Sequence, residues 1–261
     1  MKAFVVEKIE DKKYITSVKE IAKPALTENE VLIKTSYSSL NYKDALSSVG
    51  NPGVTKVFPH VTGIDVSGVV VESKSNIFNA GDEVLITGYD LGMNTDGGHS
   101  EFVKAPDNWV IKKPDNISLK ELMIYGTAGL TAALSINELL NNGLTNGNIL
   151  VTGATGGVGS ISVAILSKLG FDVVALSGKE EQTDYINCKW LTRTYRIGNS
   201  VYRSTYCVAS CPSQVNDKHT IYDCEWVHLY LDTQLLEYKR VGQGIKTYDL
   251  TITPDIEYDR F

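Results

Sequence analysis

The sequence predicts an α/β chain in which a β-rich, partly closed barrel precedes a doubly wound parallel sheet. Three observations carry that prediction. Short runs in about the first 110 residues alternate apolar and polar on a two-residue period, from about residue 147 the order becomes strand, glycine turn, helix, strand, and after about residue 187 the composition changes abruptly.

The barrel rests on runs such as Glu30-Val31-Leu32-Ile33-Lys34-Thr35 and Asp65-Val66-Ser67-Gly68-Val69-Val70-Val71-Glu72. Turn signals at Asn51-Pro52-Gly53, Ala80-Gly81-Asp82-Glu83 and Asp96-Gly97-Gly98 separate them, which suits a compact barrel better than alternating strands and helices. A helix is expected from Ser118 to Leu140, capped by Ser118 and carrying apolar residues at helical spacing. Asn148 to Thr152 then reads as a buried strand, Ser160 to Leu169 as a helix ended by Gly170, and Phe171 to Leu176 as a second strand. Together these form one βαβ unit. The expected domains are therefore a β-rich domain over 1–117, a linking helix and first βαβ over 118–186, and a tail of undetermined fold over 187–261.

The tail is set apart by its composition. Residues 188–261 hold all four cysteines and eight of the fourteen tyrosines, but one alanine and three of the 22 glycines, where a continuing doubly wound sheet would be rich in Ala, Gly and Val. Two readings stay open: a shifted reading frame or fused segment from about residue 187, which is favoured, or a diverged tail that replaces the missing strands. The first implies a truncated sheet whose second strand has a bare edge. In the tail, Cys207, Cys211, His219 and Cys224 have spacings that fit no zinc pattern, and free thiols in a reducing compartment are expected.

A net charge of −6 without a Lys/Arg cluster argues against a nucleic-acid partner. The start, Met1-Lys2-Ala3-Phe4-Val5-Val6-Glu7, meets charge too soon for a secretory signal, and no window approaches the roughly 18 apolar residues of a membrane span. A cytoplasmic protein acting on a small molecule, with no membrane partner, is expected.

The strongest local signal is Thr152-Gly153-Ala154-Thr155-Gly156-Gly157-Val158-Gly159, placed between an apolar strand and a helix. In such a turn the first glycine allows the reversal, the second admits a pyrophosphate, and the third lets helix and strand pack closely. The anion rests on the helix N-terminus. Sites for NAD carry an acid about 20 residues on, at the end of the second strand, to bind the ribose hydroxyls. Here Ser177-Gly178-Lys179 offers a hydroxyl and an ammonium, which suit a 2′-phosphate and favour NADPH. Glu180 and Glu181 would serve NADH if the register slipped by a residue or two.

Ser39-Leu40-Asn41-Tyr42-Lys43-Asp44, Gly63-Ile64-Asp65-Val66-Ser67-Gly68, Gly81-Asp82-Glu83-Val84, Gly97-Gly98-His99-Ser100-Glu101 and Gly126-Thr127-Ala128-Gly129-Leu130-Thr131-Ala132 lead in order to the glycine turn and Ser177-Gly178-Lys179. In these segments residues 1 to about 186 resemble the medium-chain dehydrogenase/reductase superfamily, in its zinc-free branch of quinone oxidoreductase-like proteins and acrylyl-CoA reductases. The resemblance implies a GroES-like catalytic domain followed by a Rossmann-type domain. It also implies that Tyr42 lies near nicotinamide and substrate, that Asn41 and Asp44 shape the pocket, and that Thr127 contacts the nicotinamide. In zinc-dependent relatives a cysteine stands in place of Asn41 and a histidine in place of Ile64, so no catalytic zinc is expected. Hydride would then pass to an electrophile activated by hydrogen bonds alone, either a quinone or an enoyl thioester such as acrylyl-CoA. The alternatives are a protein that binds NADPH without turnover and an inactive product of a disrupted gene. A homodimer is expected only of a complete nucleotide domain.

Each single residue also has a plainer reading. Tyr42 fits a core tyrosine, Asp44 a helix cap, Asp65 a turn acid, and His60 and His99 structural or solvated histidines.

Overall fold

The computed structural model describes residues 1–145 and 148–177, together with the backbone of five later strands at 193–196, 207–211, 225–228, 236–241 and 247–252. It divides into two units, 1–127 and 128–260.

The first unit contains β1 (Lys2–Glu10), β2 (Lys13–Glu20), β3 (Glu30–Tyr37), α1 (Tyr42–Ser48), β4 (His60–Val61), β5 (Asp65–Ser73), β6 (Glu83–Thr87), β7 (Phe102–Pro106) and β8 (Ile111–Lys112). They form a three-stranded sheet in the order β2-β1-β4 and a five-stranded sheet in the order β7-β3-β5-β6-β8. All pairings within these two sheets are antiparallel. The sheets are stitched where Phe4 N–H donates to His99 O at 2.9 Å and Glu101 N–H to Lys2 O at 3.0 Å, which gives the partly closed barrel. The alternation read from the sequence puts Val31, Ile33, Val66, Val70, Val84 and Ile86 into one core. Leu32 is nevertheless fully buried too, and so is Ser67, whose hydroxyl donates to Leu119 O at 2.7 Å. Curvature thus covers both faces of β3 and β5 where a flat sheet would leave one wet.

The stretch from 97 to 99 lies directly on the backbone of 62–65. Gly98 N–H donates to Gly63 O at 2.8 Å and His99 N–H to Thr62 O at 3.0 Å. At Gly63, with φ of 111°, a Cβ would sit 2.6 Å from His99 N and 2.7 Å from Gly98 N. Only glycine permits both this backbone conformation and this approach.

The helix α2 spans Leu119–Asn141, crossing from one unit into the next. The expected cap is present: Ser118 N–H donates to Glu121 Oε2 at 2.9 Å and Glu121 N–H returns to Ser118 Oγ at 3.2 Å. The Ser118 hydroxyl, which donates to Glu121 Oε2 at 2.6 Å, and the Ser118 N–H hold the Glu121 carboxyl below its ordinary pKa. What the pattern does not show is a kink at Gly126.

In the second unit, β9 (Asn148–Thr152), α3 (Gly157–Lys168) and β10 (Asp172–Ser177) form the βαβ unit, with β9 and β10 parallel. The helix begins three residues earlier than its apolar pattern suggests, because the glycines make up its first turn. Ile136 and Leu139 of α2, Ile149 and Val151 of β9, Val163 and Leu166 of α3, and Val173 and Ala175 of β10 share a core. Leu150 and Val174, on the opposite face, are also buried, as a parallel sheet covered on both sides requires.

The later strands are β11 (Arg193–Arg196), β12 (Cys207–Cys211), β13 (Glu225–His228), β14 (Leu236–Val241) and β15 (Thr247–Ile252). The sheet order is β11-β10-β9-β12-β13-β15-β14. The edge of β10 pairs in parallel with β11, so it is not bare. β12 runs antiparallel to β9, where a doubly wound sheet would place a parallel strand. No helix of the described residues is long and apolar enough to cross a membrane.

Gly63→Ala should lower the stability of the first unit by about 2–4 kcal/mol, since it adds both strain at positive φ and a backbone overlap. Urea unfolding of the full chain measures this, and a loss under about 0.5 kcal/mol would contradict the packing described.

Candidate active site

In the first unit the candidate residues surround the start of β5. The strap after β3 is fastened residue by residue. Ser38 Oγ donates to Asp65 O at 2.7 Å, Ser39 Oγ to Met123 O at 2.7 Å, and Asn41 Nδ2 to Asp65 Oδ2 at 2.9 Å. Because Asp65 only accepts, the nitrogen of the Asn41 amide must be the atom turned toward it. Asn41 caps α1, and its N–H donates to Asp44 Oδ2 at 2.7 Å.

Asp44 therefore does act as a cap, but its other oxygen does more. Oδ1 accepts Gly63 N–H at 3.1 Å and Ile64 N–H at 3.0 Å, tying α1 to the turn before β5. Burial raises the Asp44 pKa and the neighbouring Asp65 charge adds to that, against the pull of the Asn41 and Ile64 N–H groups and of His99.

Asp65, expected as a turn acid, is instead the hub. It is fully buried, and Oδ2 accepts Thr127 N–H at 2.9 Å as well as the Asn41 amide, while Oδ1 accepts Thr127 Oγ1–H at 2.6 Å. The α2 kink makes this possible. A continuous helix would bond Thr127 N–H to Met123 O. At the kink Asp65 takes the donor and Ser39 satisfies the acceptor. Gly126, at φ 51° and ψ −151°, leaves the room: a Cβ there would lie 2.5 Å from Asp65 Oδ2 and 2.7 Å from Ser39 Oγ. A signal for Asp65 existed in the sequence, since a carboxylate opening a strongly apolar strand must find donors once buried.

Tyr42 is not a core tyrosine. It is the first residue of α1, 75% exposed, next to Leu40 at 88%, and its hydroxyl bonds to no described residue. The two histidines have structural partners that lie far off in the chain. His99 Nε2–H donates to Ser39 O at 3.1 Å, and its Nδ1 meets Thr62 Oγ1 at 2.8 Å. His60 is buried, with Nε2 2.6 Å from Ser47 Oγ, which in turn meets Thr55 Oγ1 at 2.7 Å. Ile64 is buried, and no group of three or more His, Cys, Asp or Glu among the described residues is placed to hold a metal ion.

The second unit carries the glycine turn. Gly153 has φ of 60°, and Gly156 N–H closes the turn on Gly153 O at 2.8 Å. The first helical bond of α3 runs from Ser160 N–H to Gly156 O at 2.9 Å, so the N–H groups of Gly157, Val158 and Gly159 have no helical acceptor. A Cβ on Gly159 would strike Gly153 O at 2.3 Å and Ala154 Cα at 2.8 Å. The turn is folded back against its own helix, and three N–H groups at the positive end of a helix dipole suit a pyrophosphate. Thr155 beside them is half-buried and already engaged. The side chain of Ser177, and all of Gly178 and Lys179, lie outside the described residues.

A β-rich barrel followed by a βαβ unit that opens on an anion cradle defines the dehydrogenase/reductase class of architecture. Residues 27–115 match the family model of the alcohol dehydrogenase GroES-like domain. The chain is 49% identical over 171 residues to YhfP of Bacillus subtilis, which carries a quinone oxidoreductase name, covering 65% of this chain and 52% of that protein. It is 39% identical over 187 residues to the acrylyl-CoA reductase AcuI of Ruegeria pomeroyi, covering 70% and 57% respectively. Among solved structures, the yhdH oxidoreductase of Salmonella enterica in complex with NADP superposes with a TM-score of 0.72 at 39% identity, over 75% of this chain and 61% of that one. B. subtilis yhfP with NAD bound gives 0.70 at 43%, over 75% and 60%. Up to about residue 186 the chain is similar to medium-chain dehydrogenase/reductase proteins, among relatives named for quinone and acrylyl-CoA reduction. It spans little more than half the length of the curated relatives it matches.

Burial lowers the His60 pKa, with Asp96 and Asp90 opposing the shift. The unfolded chain, at about 6.5 for this group, then takes up the proton first. The stability that neutral His60 contributes is fully present above about pH 6.5 and is lost as pH falls toward the folded-state value. Thermal unfolding between pH 7.5 and 5.5 should show a falling midpoint for the parent and a shallower fall for His60→Gln. Equal slopes would assign the effect to another group.

Proposed function

We propose that the protein is an NADPH-dependent reductase that passes a hydride, without a metal ion, to a quinone or to a 2-enoyl thioester such as acrylyl-CoA. The observation that carries this reading is the uncharged donor set around Asp65. An amide and a hydroxyl are locked there beside an exposed tyrosine, where chemistry on a metal would need thiolate or imidazole.

NADPH, when bound, supplies the hydride from nicotinamide C4. Gly153, Thr155, Gly156, Gly157, Val158 and Gly159 would hold its pyrophosphate through the turn and the N-terminus of α3. Ser177, Gly178 and Lys179 would receive the 2′-phosphate. That preference rests on these three residues, because one relative is solved with NADP and another with NAD. Thr127 would face the nicotinamide. Tyr42 would direct its hydroxyl to the acceptor carbonyl and supply or relay the proton that follows the hydride. Asn41 would frame the same pocket, and Asp44 would serve it by holding the Asn41 N–H and the Gly63–Ile64 backbone.

Mixing the purified chain with NADPH and either 1,4-benzoquinone or acrylyl-CoA should lower the absorbance at 340 nm with at least one acceptor. No loss with either would sink the reading, and calorimetric NADPH binding without oxidation would leave a nucleotide-binding module in its place. Tyr42→Phe should reduce kcat by about 10- to 100-fold with cofactor affinity unchanged. Gly159→Ala should weaken NADPH binding by roughly tenfold or more, read by calorimetry, because the added methyl forces the turn away from the helix.

A further inference from the structure

We infer that Asp65 is a positioning residue for the reaction, the group that fixes Tyr42 and Thr127 relative to each other, and this inference rests on the reductase reading above. Tyr42 and Thr127 lie 85 positions apart in the chain and belong to different helices. One buried atom, Asp65 Oδ2, accepts from both sides: from the Asn41 amide, immediately before Tyr42, at 2.9 Å, and from the Thr127 N–H at 2.9 Å.

The chemistry of this hub goes beyond what helix capping needs. Burying a carboxylate is costly, and the donors to Asp65 are an amide, a backbone N–H and a hydroxyl, none of which carries charge. A kinked helix needs one acceptor for its exposed N–H, and a serine or asparagine would provide it. Here both oxygens are used as acceptors, one of them twice. An amide in the same place could keep its oxygen on the two N–H groups only by turning its own N–H toward Thr127 Oγ1, which would reverse that hydroxyl's hydrogen bond. The carboxylate is therefore what makes the Thr127 hydroxyl a donor here, and two of the three converging donors are side chains of the site.

The same contact sets proton directions. With Thr127 Oγ1–H committed to Asp65 Oδ1, anything else that meets this oxygen does so as a donor to it. Asn41 is held twice, at its N–H by Asp44 and at its amide by Asp65, so the first turn of α1, with Tyr42 at its head, has little freedom to pivot. A misplacement of about 1 Å between reacting groups costs about 100-fold in rate, so this restraint belongs to turnover rather than to ligand affinity.

The test compares the full-length parent with Asp65→Asn, which keeps the shape and turns one acceptor into a donor. With whichever acceptor supports turnover, kcat should fall about 10- to 100-fold. The KM for the acceptor and the calorimetric Kd for NADP⁺ should stay within about threefold. Thr127→Val removes one of the converging donors. Combined with Asp65→Asn it should cost less than the product of the two single losses, the mark of a shared contact. A kcat within about threefold of the parent for Asp65→Asn overturns the inference, as does a parallel collapse of kcat, affinity and unfolding midpoint, which would make the role merely structural. If Asp65→Asn does not fold, Thr127→Val decides alone: a loss confined to kcat supports the inference and an unchanged kcat overturns it. A parent that oxidises NADPH with neither acceptor removes the reductase reading and this inference with it, an outcome distinct from an active parent with an indifferent Asp65→Asn.

Discussion

A carboxylate with no solvent contact has to be satisfied completely by its surroundings, and in this chain that demand falls on Asp65. Ser38 and Asn41 at the two ends of the strap, and Thr127 after the α2 kink, are drawn to it or to its own carbonyl. Remove the carboxylate and its donors lose their acceptor, each N–H costing roughly 1–3 kcal/mol when buried without a partner. The start of β5 can sit at the centre of this arrangement only because Gly63 and Gly98 let two stretches of backbone meet without side chains between them. Sterics at the glycines and satisfaction at the acid are thus two halves of one constraint.

The two aspartates divide the work by what they bind. Asp44 bonds to backbone N–H groups alone and fixes where α1 begins and where the turn before β5 lies. Asp65 bonds to side chains and to the one backbone N–H freed by the kink. His60 and His99 act at one remove, His60 holding the last turn of α1 through Ser47 and His99 holding Ser39, the residue that takes the Met123 carbonyl. Polar groups that look scattered along the sequence form a short chain of contacts around two bends of the backbone.

Local order was largely legible in the sequence. The alternating runs placed β3 and β5, Ser118 and Glu121 announced the start of α2, and the strand, glycine turn and helix were evident from Asn148 onward. These features depend on neighbours within a few residues, which periodicity and capping rules capture. What stayed hidden depends on partners at long range. The Asp65 contacts span 24 and 62 positions, and those of His99 span 37 and 60. The kink escaped because Gly126 sits inside an otherwise good helical pattern, where a glycine costs about 1 kcal/mol and seldom bends the helix by itself. In the candidate site, the turn glycines stood out by type and spacing and Tyr42 only through the family resemblance of its segment, whereas the exposure of Tyr42 is set by how α1 docks.

The bend in α2 belongs to the barrel more than to the helix. Its freed donor and its freed acceptor are both satisfied by residues outside α2, Asp65 and Ser39, so the segment 119–141 on its own has no reason to break at Gly126 and would gain a hydrogen bond by running straight. Assembly therefore has a direction: the β3 strap and the head of β5 must be in place before the helix can take its final shape. On a ribosome, which releases the chain from the N-terminus, the template emerges before the segment that is shaped upon it.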